Sequence, residues 1–209
     1  MKKMNLPNQL TLLRVVLVPV TVVFLLFPRI FGMGENAALW ARLAAAAAFS
    51  LTALTDMLDG KIARKYHLIT NFGKFMDPLA DKFMVFSVLV AMCVSELFAR
   101  FHTVLAIVTM LVILRELAVT SLRLLAASSE DGAVIAANRS GKIKTVSQIL
   151  FLLCMMLEPC GIWLLNHCGV QVADTSVLSW ITMIFMTFMT VYSGLAYLVG
   201  NRKYINFSQ

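Results

Sequence analysis

The sequence predicts an all-α integral membrane protein of six transmembrane helices with a short interfacial segment at its N-terminus. Three observations lead there. The 209 residues are 60% hydrophobic and only 14% charged, where a soluble domain carries about 25% charged residues. Six apolar runs, Leu10–Phe27, Ala37–Leu58, Pro78–Phe98, Thr103–Leu125, Thr145–Leu165 and Val177–Leu198, each have roughly the 17–25 residues that cross a bilayer as a helix. Basic residues collect on alternate connections between the runs. The runs use most of the chain, so a single membrane domain over 1–209 is expected, without room for a separate soluble one.

Taken in order, residues 1–9 are expected at the membrane surface. Pro7 precedes the first run, and Asn8 and Thr11 flank its start as capping residues do. Lys2 and Lys3 ahead of an apolar run resemble a signal peptide. That run is long, however, holds Arg14 and Pro19, and lacks a clear small-x-small cleavage site, so a retained helix is expected. Gly32–Gly34 marks a turn, and the second run contains Ala44–Ala48, small residues that let membrane helices approach closely. The third run follows the polar stretch 59–82. Arg115 and Glu116 lie inside the fourth, which ends at a turn over Ser128–Gly132. The segment 158–176, with Pro159, Gly161 and Gly169 but no Lys or Arg, is read as the loop before the sixth.

Charge sets the expected orientation. Lys2, Lys3, Lys61, Arg64, Lys65, Lys74, Lys82, Arg123, Arg139, Lys142, Lys144, Arg202 and Lys203, 13 of the 18 basic residues, fall on the side that carries both termini. Arg29, Arg42 and Arg100 fall opposite. The positive-inside rule puts both termini in the cytoplasm. The net charge of +7 is then topology and contact with anionic lipid, and no nucleic-acid partner is expected. Cys93, Cys154, Cys160 and Cys168 lack metal-ligand spacing and read as small buried apolar residues.

Four aspartates interrupt this apolar chain within 26 residues. Asp56 and Asp59 are spaced i,i+3, and Asp77 and Asp81 i,i+4, so each pair shares a helix face. The second helix ends near Asp59 and the third begins near Asp77, which brings both pairs to one membrane boundary. Converging carboxylates about 5 Å apart repel by about 3 kcal/mol per pair at an effective dielectric near 20. Nearby Lys and Arg could balance them. Hard divalent cations, which take oxygen ligands, balance them better and favour Mg2+ or Mn2+ over zinc. Gly60 directly after Asp59 and Gly73 four residues before Asp77 permit close backbone approach to a ligand. Arg64, one turn beyond Gly60, suits a phosphate that bridges to the ions.

The full pattern Asp56-x-x-Asp59-Gly60-x-x-Ala63-Arg64-(eight residues)-Gly73-x-x-x-Asp77-x-x-x-Asp81 resembles the signature of the CDP-alcohol phosphatidyltransferase family, whose six-helix layout also agrees across the chain. The resemblance implies transfer of a phosphatidyl or similar group from a CDP-linked donor to an alcohol, with release of CMP. By that likeness Asp56, Asp59, Asp77 and Asp81 hold the ions, expected to be two, and Asp81 also serves as general base. Gly60, Arg64, Thr70, Gly73 and Asn8 would lie against the CDP-diacylglycerol donor. The chemistry suits those parts: metals clamp phosphate oxygens, and a carboxylate in reach of the hydroxyl removes its proton.

Other charged residues bear on the acceptor. Arg115 and Glu116 lie about 15 Å inside the fourth helix at 1.5 Å per residue, and intramembrane ionisable residues are by default functional. Adjacent helical residues do not face each other, so pairing of Arg115 with Glu116 is not expected. Lys142 and Lys144 open the fifth helix, where ordinary positive-inside flanking is the plainer account. Leu6–Arg14, Leu114–Glu116 and Gly141–Thr145 resemble the bacterial branch of the family that makes phosphatidylglycerophosphate. That likeness implies an acceptor carrying its own phosphate, glycerol 3-phosphate, held by Arg115, Lys142 and also Arg123 or Lys144. It further implies a homodimer in the bacterial inner membrane. The rivals are sister transferases acting on serine, an inositol phosphate or phosphatidylglycerol, and a divalent-cation transporter.

Overall fold

A computed structural model describes residues 5–31, 34–66, 70–128 and 139–202. They form six α-helices: α1 (Leu6–Phe31), α2 (Glu35–Lys65), α3 (Asn71–Val94), α4 (His102–Ala127), α5 (Arg139–His167) and α6 (Val177–Gly200). A short 3-10 turn, Glu96–Phe101, joins α3 to α4, and no strand occurs among the described residues. The expected turns at Gly32–Gly34 and Ser128–Gly132 lie largely outside the described residues.

The helices outrun the apolar runs at both ends. Rather than an interfacial segment reaching residue 9, α1 begins at Leu6, because Pro7 fits the first turn, where its missing N–H is no loss. Asn8 and Thr11 therefore sit inside the helix and cap nothing. Past Asp59, α2 continues through Lys65, carried by Lys, Ile, Ala and Arg, which favour helix. Thr70 then caps α3, its hydroxyl accepting from the Gly73 N–H at 3.0 Å. The expected 59–82 loop thus shrinks to five residues, and all four aspartates are helical. On the other side α3 stops at Val94, short of 98, and α5 runs through Pro159 and Gly161 to His167. Most of the expected 158–176 loop is therefore helix.

Among the described residues, five helices are long and apolar enough to span a bilayer: all but α3. At 24 residues α3 has the length, but Lys74, Asp77, Asp81 and Lys82 break its apolar character in the first half. The molecule is an all-helical, multi-pass membrane protein. Its helices close a ring in the order α1, α2, α5, α6, α4, α3, each packed on the next. Away from the termini the ring is filled by one apolar core, including Leu25, Phe49, Met84, Leu89, Phe98, Leu105, Phe151, Met155 and Met186. Ala45 and Ala46, both buried in α2, let neighbouring backbones close in. Large apolar side chains such as Trp40, Met110 and Val199 face outward, as a lipid solvent permits. At the end carrying both termini the core gives way to charge.

Candidate functional site

Two adjoining groups of polar side chains occupy that end. The first lies among α1, α2 and α3. Arg14, with no exposed surface, contacts Asp56 Oδ1 through Nη1 at 2.7 Å, and its Nη2 donates to Asp59 Oδ2. Thr11 is equally buried. Its hydroxyl stands 2.9 Å from Asp77 Oδ1, 3.3 Å from Asp59 Oδ2 and 3.1 Å from the Pro7 carbonyl. One hydroxyl proton serves one of these acceptors at a time, so Thr11 seats α2 and α3 against the same point of α1. A buried arginine among carboxylates is stable only when paired, and here one guanidinium faces two of them.

Just beside this group, Asn8, Thr70 and Gly73 meet at the start of α3. The Thr70 hydroxyl donates to Asn8 Oδ1 at 3.0 Å. A methyl group on Gly73 would stand 3.2 Å from Asn8 Oδ1, 3.3 Å from Thr70 Oγ1 and 3.8 Å from Asp77 Oδ2. Glycine is therefore what lets those three oxygens gather over the helix end. Gly60 follows Asp59 within α2. Arg64 also lies in α2, and its side chain is outside the described residues.

The second group lines a cavity of about 780 Å3 whose walls come from α2, α3, α4, α5 and α6. Asp56 and Asp81 stand on one side, and Arg115, Glu116, Arg123, Lys142, Lys144 and Tyr197 on the others. Asp56 belongs to both groups, touching Arg14 on one flank and the cavity on the other. Arg115 does pair with its neighbour, against the sequence expectation: Nη1 donates to Glu116 Oε1 at 2.8 Å. The same oxygen accepts from Lys144 Nζ. Two long flexible cations close on one carboxylate, and all three side chains are largely buried, where an unpaired charge would be costly. Lys144 is 5% exposed, which plain flanking at the membrane surface does not explain. Lys142 is exposed.

Several of these contributors went unread in the sequence. Arg14 carried a signal, an ionisable residue within an apolar run. Thr11 was read only as a cap. On α6, Ser193, Gly194 and Tyr197 gave no sign at all: Ser193 Oγ accepts from Arg115 Nη2 at 3.2 Å, and Tyr197 Oη accepts from Arg123 Nε at 2.9 Å.

As donors to a cation, the four aspartates offer only carboxylate oxygens, the set that hard divalent ions take. Their chemistry fits such an ion. Among the described residues, though, no three acids stand together round one point. Arg14 balances Asp56 and Asp59, while Asp81 faces the cavity instead.

An all-helical membrane bundle with acids from one hairpin at its charged end defines the class. The CDP-alcohol phosphatidyltransferase family model matches residues 4–192, and the chain belongs to that family of transferases. It is similar to a Bacillus subtilis protein named CDP-diacylglycerol–glycerol-3-phosphate 3-phosphatidyltransferase, 38% identical over 94% of this chain and 95% of the relative. Proteins of the same name from Sodalis glossinidius and Rickettsia typhi are 37% identical over 75% of this chain and 79% of the relative, and 32% identical over 96% and 98%.

Proposed function

We propose that the protein transfers the phosphatidyl group of CDP-diacylglycerol to glycerol 3-phosphate, releasing CMP and forming phosphatidylglycerophosphate. One observation carries this reading: a single cavity is lined by Asp56 and Asp81 from α2 and α3 and by Arg115, Arg123, Lys142 and Lys144 from α4 and α5. A site for an alcohol bearing its own phosphate needs both. The name shared by the relatives supports the same pair of substrates.

In this reading the donor diphosphate lies against Asn8, Gly60, Arg64, Thr70 and Gly73, at the boundary where its acyl tails stay in lipid. Arg115, Arg123, Lys142 and Lys144 hold the acceptor phosphate and aim its hydroxyl at the phosphatidyl phosphorus. Asp81 takes the hydroxyl proton. A bond forms between the acceptor oxygen and that phosphorus, the diphosphate P–O bond breaks, and CMP leaves with the electron pair. Asp56, Asp59, Asp77 and Asp81 would hold Mg2+ or Mn2+, two ions by the family likeness. Divalent ions there would neutralise the diphosphate oxygens and the charge that develops on CMP.

The same reading makes the protein a homodimer of the bacterial inner membrane, with the charged end in the cytoplasm. The concentration of basic residues at that end supports the orientation, and family likeness alone supports the dimer.

The test uses purified full-length protein with CDP-diacylglycerol, Mg2+ and one acceptor at a time. CMP release with glycerol 3-phosphate alone is the expected result. Release only with serine, an inositol phosphate or phosphatidylglycerol moves the protein to a sister activity. No release with any acceptor, together with divalent-cation flux in vesicles, replaces the transferase by a transporter.

A further inference from the structure

Arg115 and Arg123 are eight residues apart on α4, roughly 12 Å along the axis, and both line the cavity. An arginine has a long flexible stem, so a guanidinium that must meet a small anion needs something to hold it. One strip of α6 meets both arginines. Gly194 makes room for the first: a methyl group there would stand 2.9 Å from Arg115 Cγ, in the stem rather than at the mobile tip. Ser193 accepts from the Nη2 of the same side chain at 3.2 Å.

The second arginine is gripped differently. Tyr197 is 5% exposed. Its hydroxyl accepts from Arg123 Nε at 2.9 Å, and its ring centre lies 5.4 Å from the guanidinium carbon. Arg123 makes no ion pair among the described residues, unlike Arg115, which shares Glu116 with Lys144. A hydrogen bond at Nε fixes the plane of the guanidinium and leaves its two terminal nitrogens, the pair whose spacing matches two oxygens of a phosphate.

We infer that Tyr197 is a positioning residue for the acceptor's phosphate, acting through Arg123, and that the Ser193–Tyr197 strip of α6 tunes the enzyme toward phosphate-bearing alcohols. This rests on the assignment of Arg123 to the acceptor pocket.

The experiment measures kcat and both KM values for full-length Tyr197→Phe and Tyr197→Leu, alone and combined with Arg123→Ala. Phenylalanine keeps the ring and removes only the hydroxyl. It is expected to raise the KM for glycerol 3-phosphate about fivefold to tenfold, the scale of one net hydrogen bond. Leucine, which removes the ring as well, should raise it further. The KM for CDP-diacylglycerol and kcat should stay within about twofold of the parent, and the phenylalanine change should add nothing once Arg123 is alanine. An unchanged acceptor KM in the phenylalanine variant overturns the inference. So does a rise that persists without Arg123, or a parallel loss in kcat and both KM values, which marks a merely structural role. If Arg123→Ala itself leaves the acceptor KM unaltered, the fault lies in the pocket assignment. If Arg123→Ala raises it and the Tyr197 variants do not, the fault lies with Tyr197 alone.

Discussion

The two sides of the charged end were assembled from different ranges of sequence. Asp56, Asp59, Asp77 and Asp81 come from two consecutive helices, α2 and α3, with only five residues between them. Arg115, Arg123, Lys142, Lys144 and Tyr197 come from three helices, α4, α5 and α6. Balance of charge differs as well. On the acid side one buried arginine from α1 faces two carboxylates. On the cavity's basic side two cations share Glu116 while Arg123 makes no ion pair among the described residues. Neither side is complete from local geometry: α1 stands between α2 and α3 and gathers the acids through Arg14 and Thr11, and the second side needs α4, α5 and α6 to pack.

The largest expected effect falls on Asp81, which lines the cavity with the basic residues. Asp81→Asn keeps shape and removes the base, and should lower kcat about 1,000-fold, within the range for loss of a general base. Binding of CDP-diacylglycerol, measured separately, should persist. A variant retaining a tenth of the parent activity would take proton removal away from this residue.

Arg14→Gln comes next and is read in stability. Removing one partner of a buried ion pair costs about 3–5 kcal/mol, and here two carboxylates lose their cation at once. Denaturation of the purified protein should shift accordingly, and adding Asp59→Asn should restore part of the loss. If Arg14→Gln unfolds no earlier than the parent, the acid side is balanced by something other than α1.

These two residues also mark what could be read without a structure. Asp81 was legible as an acid one helical turn from Asp77, but spacing did not say that Asp77 meets Thr11 while Asp81 lines the cavity beside Asp56. Arg14 was visible as a charge in an apolar run, but its partners lie more than 40 residues away, and nothing local says which face of α1 meets α2. Six helices were legible from the apolar runs, although α3 is not apolar enough to count among the five spans because its acids and lysines sit inside the helix. The helix ends were not, because Lys, Arg and Ala continue a helix past the end of an apolar run. Gly194 and Tyr197 were beyond reach for the same reason as Arg14: in a membrane helix, Gly and Tyr mostly pack, and only their tertiary neighbours make them anything more.

On the basic side the effect should be smaller and confined to one substrate. Arg115→Ala removes a guanidinium held by Glu116 and Ser193. The KM for glycerol 3-phosphate should rise about tenfold or more, the scale of hydrogen bonds to charged groups, with the CDP-diacylglycerol KM unchanged. An unchanged acceptor KM would take Arg115 out of the pocket and leave it as a structural partner of Glu116.

The smallest effect is expected at the opposite end of the molecule, and it separates charge that builds the bundle from charge that serves the site. Glu158 on α5 accepts from the Leu178 N–H at 2.8 Å and the Ser179 N–H at 2.7 Å, where Ser176 gives α6 no side-chain cap of its own. The carboxylate supplies the cap from a neighbouring helix, and its charge suits a helix N-terminus. Glu158→Gln turns one acceptor oxygen into a donor facing a donor, so stability should fall by about 1 kcal/mol, as loss of a cap does. Both KM values should hold, because the apolar core stands between this cap and the cavity. Should the acceptor KM move instead, α6 would be transmitting its register from one end to the other, and the two ends could no longer be treated as independent.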